Sequence, residues 1–137
     1  MVSENKIRVL LAKPGIDGHE WGAFVIARAL RDSGMEVIYT GMWQTEDMIV
    51  KTALEEGVDV VGLSSLGAIH RGYFANLMEL MEEKYVTPVP VVIGGIITDE
   101  DRSVLQKMGL TGFYGPGTST ETIVEHIRER VRKGGEA

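Results

Sequence analysis

The chain contains no cysteine, which excludes disulfide scaffolds, thiolate metal sites and cysteine nucleophiles. It lacks long apolar runs as well. Nothing in it approaches the ~20 apolar residues of a membrane helix. The opening MVSENKIRVLLAKPG has too short an apolar stretch for a secretory signal, and Arg8 interrupts it. Fourteen Lys and Arg against twenty Asp and Glu leave a formal charge of −6, with no long block of one sign. The clustered positive field that nucleic acid or an anionic membrane requires is therefore missing. The expectation is a soluble, cytoplasmic protein that binds neither.

Several catalytic signatures are absent too. There is no G-x-x-x-x-G-K-[ST] phosphate loop, no G-x-G-x-x-G after the first strand and no G-x-S-x-G elbow. Three histidines without cysteines or close ligand spacing do not make a zinc site.

What remains is a chain of 137 residues, 44% hydrophobic and 25% charged, in the range of one globular domain. The expected unit spans residues 1–137, with a core over about 6–132 and fraying from Lys133 to Ala137. Short apolar runs alternate with helical patterns. Strands are expected at Ile7–Ala12, Met35–Tyr39, Val58–Leu63, Pro90–Ile93 and Leu110–Tyr114.

The first helix is expected from Gly22 to about Ser33, with Phe24, Ala27 and Leu30 inward. The second follows a Thr45 cap, with Val50, Ala53 and Leu54 inward and Gly57 ending it. The third carries Phe74, Leu77, Met78 and Met81 as its stripe, and Thr98 caps the fourth. Thr118 with Glu121 forms a capping-box pattern ahead of Ile123, Val124, Ile127 and Val131. Five strand–helix units imply a doubly wound, flavodoxin-like parallel sheet of order 2-1-3-4-5.

In such a sheet ligands bind beyond the carboxyl ends of the strands, where the winding reverses. The unusual residues collect on that rim. Lys13, Asp17, His19 and Gly22 follow strand 1; Ser64, Ser65, Leu66 and His70 follow strand 3. Gly94 and Gly95 follow strand 4, and Gly115, Pro116, Gly117 and Thr118 follow strand 5. Each also has a plain structural reading: His19 as a solvated loop residue, Gly94-Gly95 as a tight turn, Ser64 as a partner for backbone groups. A phosphoreceiver would share this fold, but it needs an Asp ending strand 3 and a Lys after strand 5. Ser64-Ser65 and Gly115-Pro116 stand there instead.

One residue separates Asp17 from His19, so both side chains can point the same way in a tight loop. A carboxylate bonded to one imidazole nitrogen fixes the tautomer and raises the basicity of the other, as behind ligating histidines generally. Lys13 is placed to modulate the Asp17 charge. A single histidine suits one axial position of a metal that a macrocycle already holds.

Asp17-x-His19-x-x-Gly22, Ser64-x-Leu66 and Gly94-Gly95 together resemble the motif set of cobalamin-binding domains. The stretches LLAKPGIDGHEWGA, VVGLSSLGAIH, VVIGGIIT and FYGPGT are most similar to the adenosylcobalamin-dependent acyl-CoA mutases, the methylmalonyl-CoA mutase group. The resemblance runs from about Ile7 to Val131. It implies His19 as the lower axial ligand of cobalt, in place of dimethylbenzimidazole, with Asp17 hydrogen-bonded behind it. The displaced nucleotide tail would enter a slot where Ser64 bonds the benzimidazole, Leu66 packs on it, and Gly94 and Gly95 leave room. Gly115, Gly117 and Thr118 would border that slot, and Gly22 would sit close to the corrin or tail.

In that family the cofactor supplies an adenosyl radical that abstracts substrate hydrogen before the carbon skeleton rearranges. The substrate site lies in a TIM barrel of about 250 residues. The resemblance thus implies a small, cobalamin-carrying subunit of a hetero-oligomer, docking on a large barrel subunit that binds acyl-CoA. A methyltransferase corrinoid protein is the runner-up, disfavoured because Asp17 comes so early, with no helical cap region ahead of it. A stand-alone cobalamin carrier or sensor is a third reading. One departure stands out: the mutase group often has an acid then arginine after the histidine, whereas Glu20-Trp21 stands here.

Overall fold

A computed structural model describes residues 6–13, 20–41, 44–65, 71–84, 88–115 and 117–136, with backbone alone for 20–22, 65 and 133–136. Five strands alternate with five helices: β1 (Arg8–Ala12), α1 (Glu20–Asp32), β2 (Glu36–Tyr39), α2 (Glu46–Glu56), β3 (Val60–Ser65), α3 (Arg71–Lys84), β4 (Val91–Gly95), α4 (Asp99–Met108), β5 (Gly112–Tyr114) and α5 (Thr120–Glu136). All strand pairs are parallel, in the order β2-β1-β3-β4-β5. The winding reverses beside β1, as the alternation implies.

Period-two side-chain alternation sorts the strands between two cores. Leu10, Ala12, Val61, Leu63, Val91 and Ile93 face α2, α3 and α4, where they meet Ile49, Ala53, Phe74, Leu77, Met81 and Leu105. Val9, Val60 and Val92 face the other way, against Leu30 of α1 and Ile123, Val124 and Ile127 of α5. Leu11 packs on Ala23 and Ala27 of α1. Burial on both faces explains why the inner strands read as nearly unbroken apolar runs, while edge strand β2 is only partly buried.

Two helix phases differ from expectation. Phe24 is 47% exposed and meets Tyr39 edge-on, ring centroids 5.2 Å apart, while Ala23, Ala27 and Leu30 are the buried stripe of α1. Small alanines let this helix lie close to the sheet, and Phe24 covers the flank beside β2. On α2, Leu54 is 42% exposed and Ile49 takes the inward place expected of it. Thr45 and Thr98 cap α2 and α4 as expected, each side-chain oxygen accepting the third residue's backbone N–H.

The cap of α5 is a correction. Thr118 does not open this helix; the Ser119 hydroxyl accepts the Thr122 N–H at 3.1 Å. Thr118 instead closes a turn, its hydroxyl donating to the Gly115 carbonyl at 2.8 Å and its N–H at 3.2 Å. The helix then runs to Glu136, through most of the stretch expected to fray. Among the described residues no helix is long and apolar enough to cross a membrane.

Candidate cofactor slot on the α1/α5 face

Strands β3 and β4 run two residues beyond the expected ends, so Ser64, Ser65, Gly94 and Gly95 lie within the sheet, not after it. Ser64 pairs in register with Gly94, and Ser65 with Gly95. Serine and glycine are weak strand formers, but the backbone ladder does not require their side chains. The extension has a spatial consequence. Continued alternation puts Gly62, Ser64 and Gly94 on the face that meets α1 and α5, where they replace core side chains.

A cavity of about 410 Å³ opens there, within the range of small-molecule pockets. Gly62 and Gly94 form its floor, with Val9, Leu11 and Val92 beside them; Ile26 and Leu30 of α1 and Ile123 and Ile127 of α5 roof it. Ser64, Gly95, Gly115, Gly117 and Thr118 lie at its strand-end mouth. Six of the residues singled out in the sequence are therefore brought together around one slot. Gly95 (φ +140°) and Gly117 (φ +88°) occupy backbone conformations that disfavour any other residue.

Glycine also sets the slot's dimensions. A Cβ on Gly115 meets nothing within 4 Å, and one on Gly94 makes only ordinary contact, 3.6 Å from the Tyr114 carbonyl. Side chains at either position would occupy the cavity without disturbing the fold. Gly112 differs: a Cβ there falls 2.7 Å from Val92 Cγ1 and 2.8 Å from the Tyr114 hydroxyl. The Tyr114 ring, which lines the slot, thus folds back over Gly112, and its hydroxyl bonds His126 Nδ1 at 2.9 Å. Burial pushes the Tyr114 phenol up to about 12, so it stays neutral and able to donate.

His126 is thereby a structural partner of the slot's wall. Gly62, Ile26 and Tyr114 also line the slot without having stood out in the sequence. Gly62 alone carried a signal, as a glycine inside an apolar strand.

Lys13 is fully buried just beyond β1. Its N–H donates to the Gly41 carbonyl at 3.4 Å, and its carbonyl accepts the Gln44 N–H at 3.2 Å. Gly22 lies in the first turn of α1, at the same end of the sheet. Asp17, His19, Leu66 and His70 lie outside the described residues. Among those described, no three His, Asp or Glu side chains cluster to hold a metal ion. The slot's chemistry fits the flat aromatic base of a macrocyclic cofactor's tail: hydrocarbon walls, a hydroxyl at the mouth and glycines where bulk would intrude.

The B12 binding domain family matches residues 7–125. The 2-hydroxyisobutanoyl-CoA mutase small subunit of Aquincola tertiaricarbonis is 40% identical over 98% of this chain and 98% of its own. The pivalyl-CoA mutase small subunit of Xanthobacter autotrophicus is 45% identical over 88% and 81%. A methylmalonyl-CoA mutase of Cereibacter sphaeroides is 37% identical over 92% of this chain, which spans only 18% of that protein.

Among solved structures, a cobalamin-binding protein from Desulfitobacterium hafniense superposes with TM-score 0.75 at 23% identity, over 90% of this chain and 58% of that one. A receiver domain from Methanospirillum hungatei reaches 0.73 at 12% identity, over 96% and 98%. Likeness at this level shows the fold alone, and the two chemistries part at the residues. The chain belongs to the B12-binding domain family, in the branch that serves the acyl-CoA mutases.

Proposed function

We propose that the chain is the small, cobalamin-carrying subunit of an adenosylcobalamin-dependent acyl-CoA mutase, an isomerase working in the cytoplasm. The observation that carries the reading is the slot itself: apolar, floored by Gly62 and Gly94, with Ser64 at its mouth. End-to-end similarity to two mutase small subunits supports it.

In this reading the slot takes the nucleotide tail. Ser64 hydrogen-bonds the benzimidazole, Leu66 packs on it, and Gly94, Gly95, Gly115, Gly117 and Thr118 shape the entrance. His19 would hold the cobalt, and Asp17 would keep its imidazole in the ligating tautomer. Lys13 offsets the Asp17 charge, and Gly22 gives clearance to the corrin. When bound, the cofactor supplies the cobalt–carbon homolysis that starts radical rearrangement. This chain's residues bind and orient it and keep water from the tail.

The substrate, an acyl-CoA thioester, binds a larger TIM-barrel partner, and the two chains form a hetero-oligomer. An absorbance titration of adenosylcobalamin with the chain, alone and with its large subunit, tests this. The expected spectrum is base-off with histidine coordinated. Absence of any cobalamin binding in both cases overturns the proposal, and methyl exchange with a methyltransferase would favour the runner-up.

A further inference from the structure

A chain of hydrogen bonds leads away from the slot, on the opposite face of the sheet. The end of β1 is held by the connection from β2 to α2. Thr40 N–H donates to the Leu11 carbonyl at 3.1 Å, Lys13 N–H to Gly41 at 3.4 Å, and Gln44 N–H to the Lys13 carbonyl at 3.2 Å. That connection is in turn held from α3, where the Tyr73 hydroxyl donates to the Gln44 carbonyl at 2.6 Å. The Gln44 side chain closes the turn on itself, Nε2 donating to the Thr40 carbonyl at 3.4 Å. Lys13 is fully buried and Gln44 nearly so. Both belong to the interior framework, although each lies in a connection.

Tyr73 is fixed at its other end as well, its ring set edge-on to Phe74 with centroids 5.4 Å apart. Burial, and secondarily the Glu46 carboxylate, raise its phenol above the ordinary tyrosine range, so it remains a donor at any physiological pH. A short bond from a rigid helix to the carbonyl of Gln44, whose own N–H grips Lys13, leaves the end of β1 little freedom. The sequence places Asp17 and His19 just beyond that end.

We infer that Tyr73, acting through Gln44 and Lys13, is a positioning residue for the cobalt-ligating segment, fixing the strand end from which Asp17 and His19 depart. The inference rests on the reading of His19 as the cobalt ligand. Tyr73 touches neither cofactor nor substrate. Its effect is on where the ligand starts, and therefore on how fully the imidazole reaches cobalt.

The test compares Tyr73→Phe with Asn76→Ala in the full chain with its large subunit. Asn76 Nδ2 donates to Glu46 Oε2 at 2.8 Å, joining α3 to the first turn of α2 without involving Gln44. Tyr73→Phe keeps the ring and is expected to fold. Its histidine-coordinated fraction, read from the absorbance of bound cobalamin, falls, and cobalamin affinity drops about 5- to 10-fold, the scale of one net hydrogen bond. Asn76→Ala retains the wild-type spectrum.

Should Tyr73→Phe not fold, Gln44→Ala, which removes the Nε2 bond of the same turn, is read by the same spectrum, with the same fall expected. A wild-type spectrum and affinity in the Tyr73 variant, or in Gln44→Ala where it stands in, overturn the inference while leaving His19 ligation intact. Equal spectral shifts in the Tyr73 and Asn76 variants overturn it too, since loosened helix packing would then be the cause. If the unmodified protein binds cobalamin without histidine coordination, the reading of His19 falls and the inference with it.

Discussion

Replacing Gly94 with valine separates the slot from the fold. Gly94 sits in β4 without a left-handed backbone, and a Cβ there lies 3.6 Å from the Tyr114 carbonyl and 4.0 Å from the Tyr114 Cβ. Both are ordinary contacts, so the strand accepts the side chain. Removing an interior glycine relieves about 0.5–1 kcal/mol of backbone entropy cost, and a β-branched residue suits the pleat. The melting temperature should therefore hold or rise by a few degrees.

The three added carbons project into the 410 Å³ cavity, on the floor beneath whatever fills it. Overpacking of a filled site costs roughly 1–3 kcal/mol, which is about a 5- to 150-fold loss of cobalamin affinity. Gly112→Ala reverses the pattern. Its Cβ would fall 2.7 Å from Val92 Cγ1, so the fold itself loses about 1–3 kcal/mol and the melting temperature drops. Absorbance titration and thermal melting on both variants decide the matter. Wild-type cobalamin affinity in Gly94→Val would refute the assignment of the slot, and a large drop in its melting temperature would refute the reasoning about space.

Tyr114→Phe removes the bond to His126 Nδ1 and should cost about 0.5–1.5 kcal/mol near neutral pH, measurable by urea denaturation. The Tyr114 phenol is raised to about 12 from 10.0, so its contribution is complete below pH 10 and is lost as pH climbs toward 12. The alkaline fall in stability should be shallower in the variant; identical alkaline profiles would contradict this. Thr45→Ala and Thr98→Ala each delete a helix cap and should cost about 1 kcal/mol, additively, since the caps lie on different helices. Arg71 bonds Asp101 through Nε at 3.0 Å and a terminal nitrogen at 2.9 Å, tying the first turns of α3 and α4 at the solvent edge. Arg71→Ala should lower the melting temperature slightly at low ionic strength, and the difference should close in ~1 M salt; a salt-independent loss would argue against a screened surface pair.

The fold was legible because the inner strands are buried on both faces and helices such as α2 and α4 carry caps at both ends. Phase was harder to read. In α1 the inward stripe is built on Ala23 and Ala27, and the larger Phe24 drew the stripe toward itself, although it packs against Tyr39 at the sheet edge. Strand ends at Ser64-Ser65 and Gly94-Gly95 were placed two residues short, because their weak strand propensity hides a ladder that backbone groups alone sustain.

Of the site, the mouth was legible as glycines, a serine and a threonine following apolar runs. The roof was not, since Ile26, Leu30, Ile123 and Ile127 look like any core stripe until the helices are set over missing side chains at Gly62 and Gly94. The Tyr114–His126 and Tyr73–Gln44 bonds were hidden for a related reason: each joins residues on different elements, and only the packed sheet brings them together.

The most direct measurement is the paramagnetic resonance spectrum of the cob(II)alamin form of the complex, prepared with natural-abundance and with ¹⁵N-histidine-labelled small subunit. Axial coordination by His19 predicts nitrogen splitting of the cobalt lines as triplets in the natural protein. Labelling should turn these into doublets, and the protein splitting should vanish in His19→Ala. Triplets that persist after labelling would show that the cofactor's own base remains on cobalt, and would contradict the account.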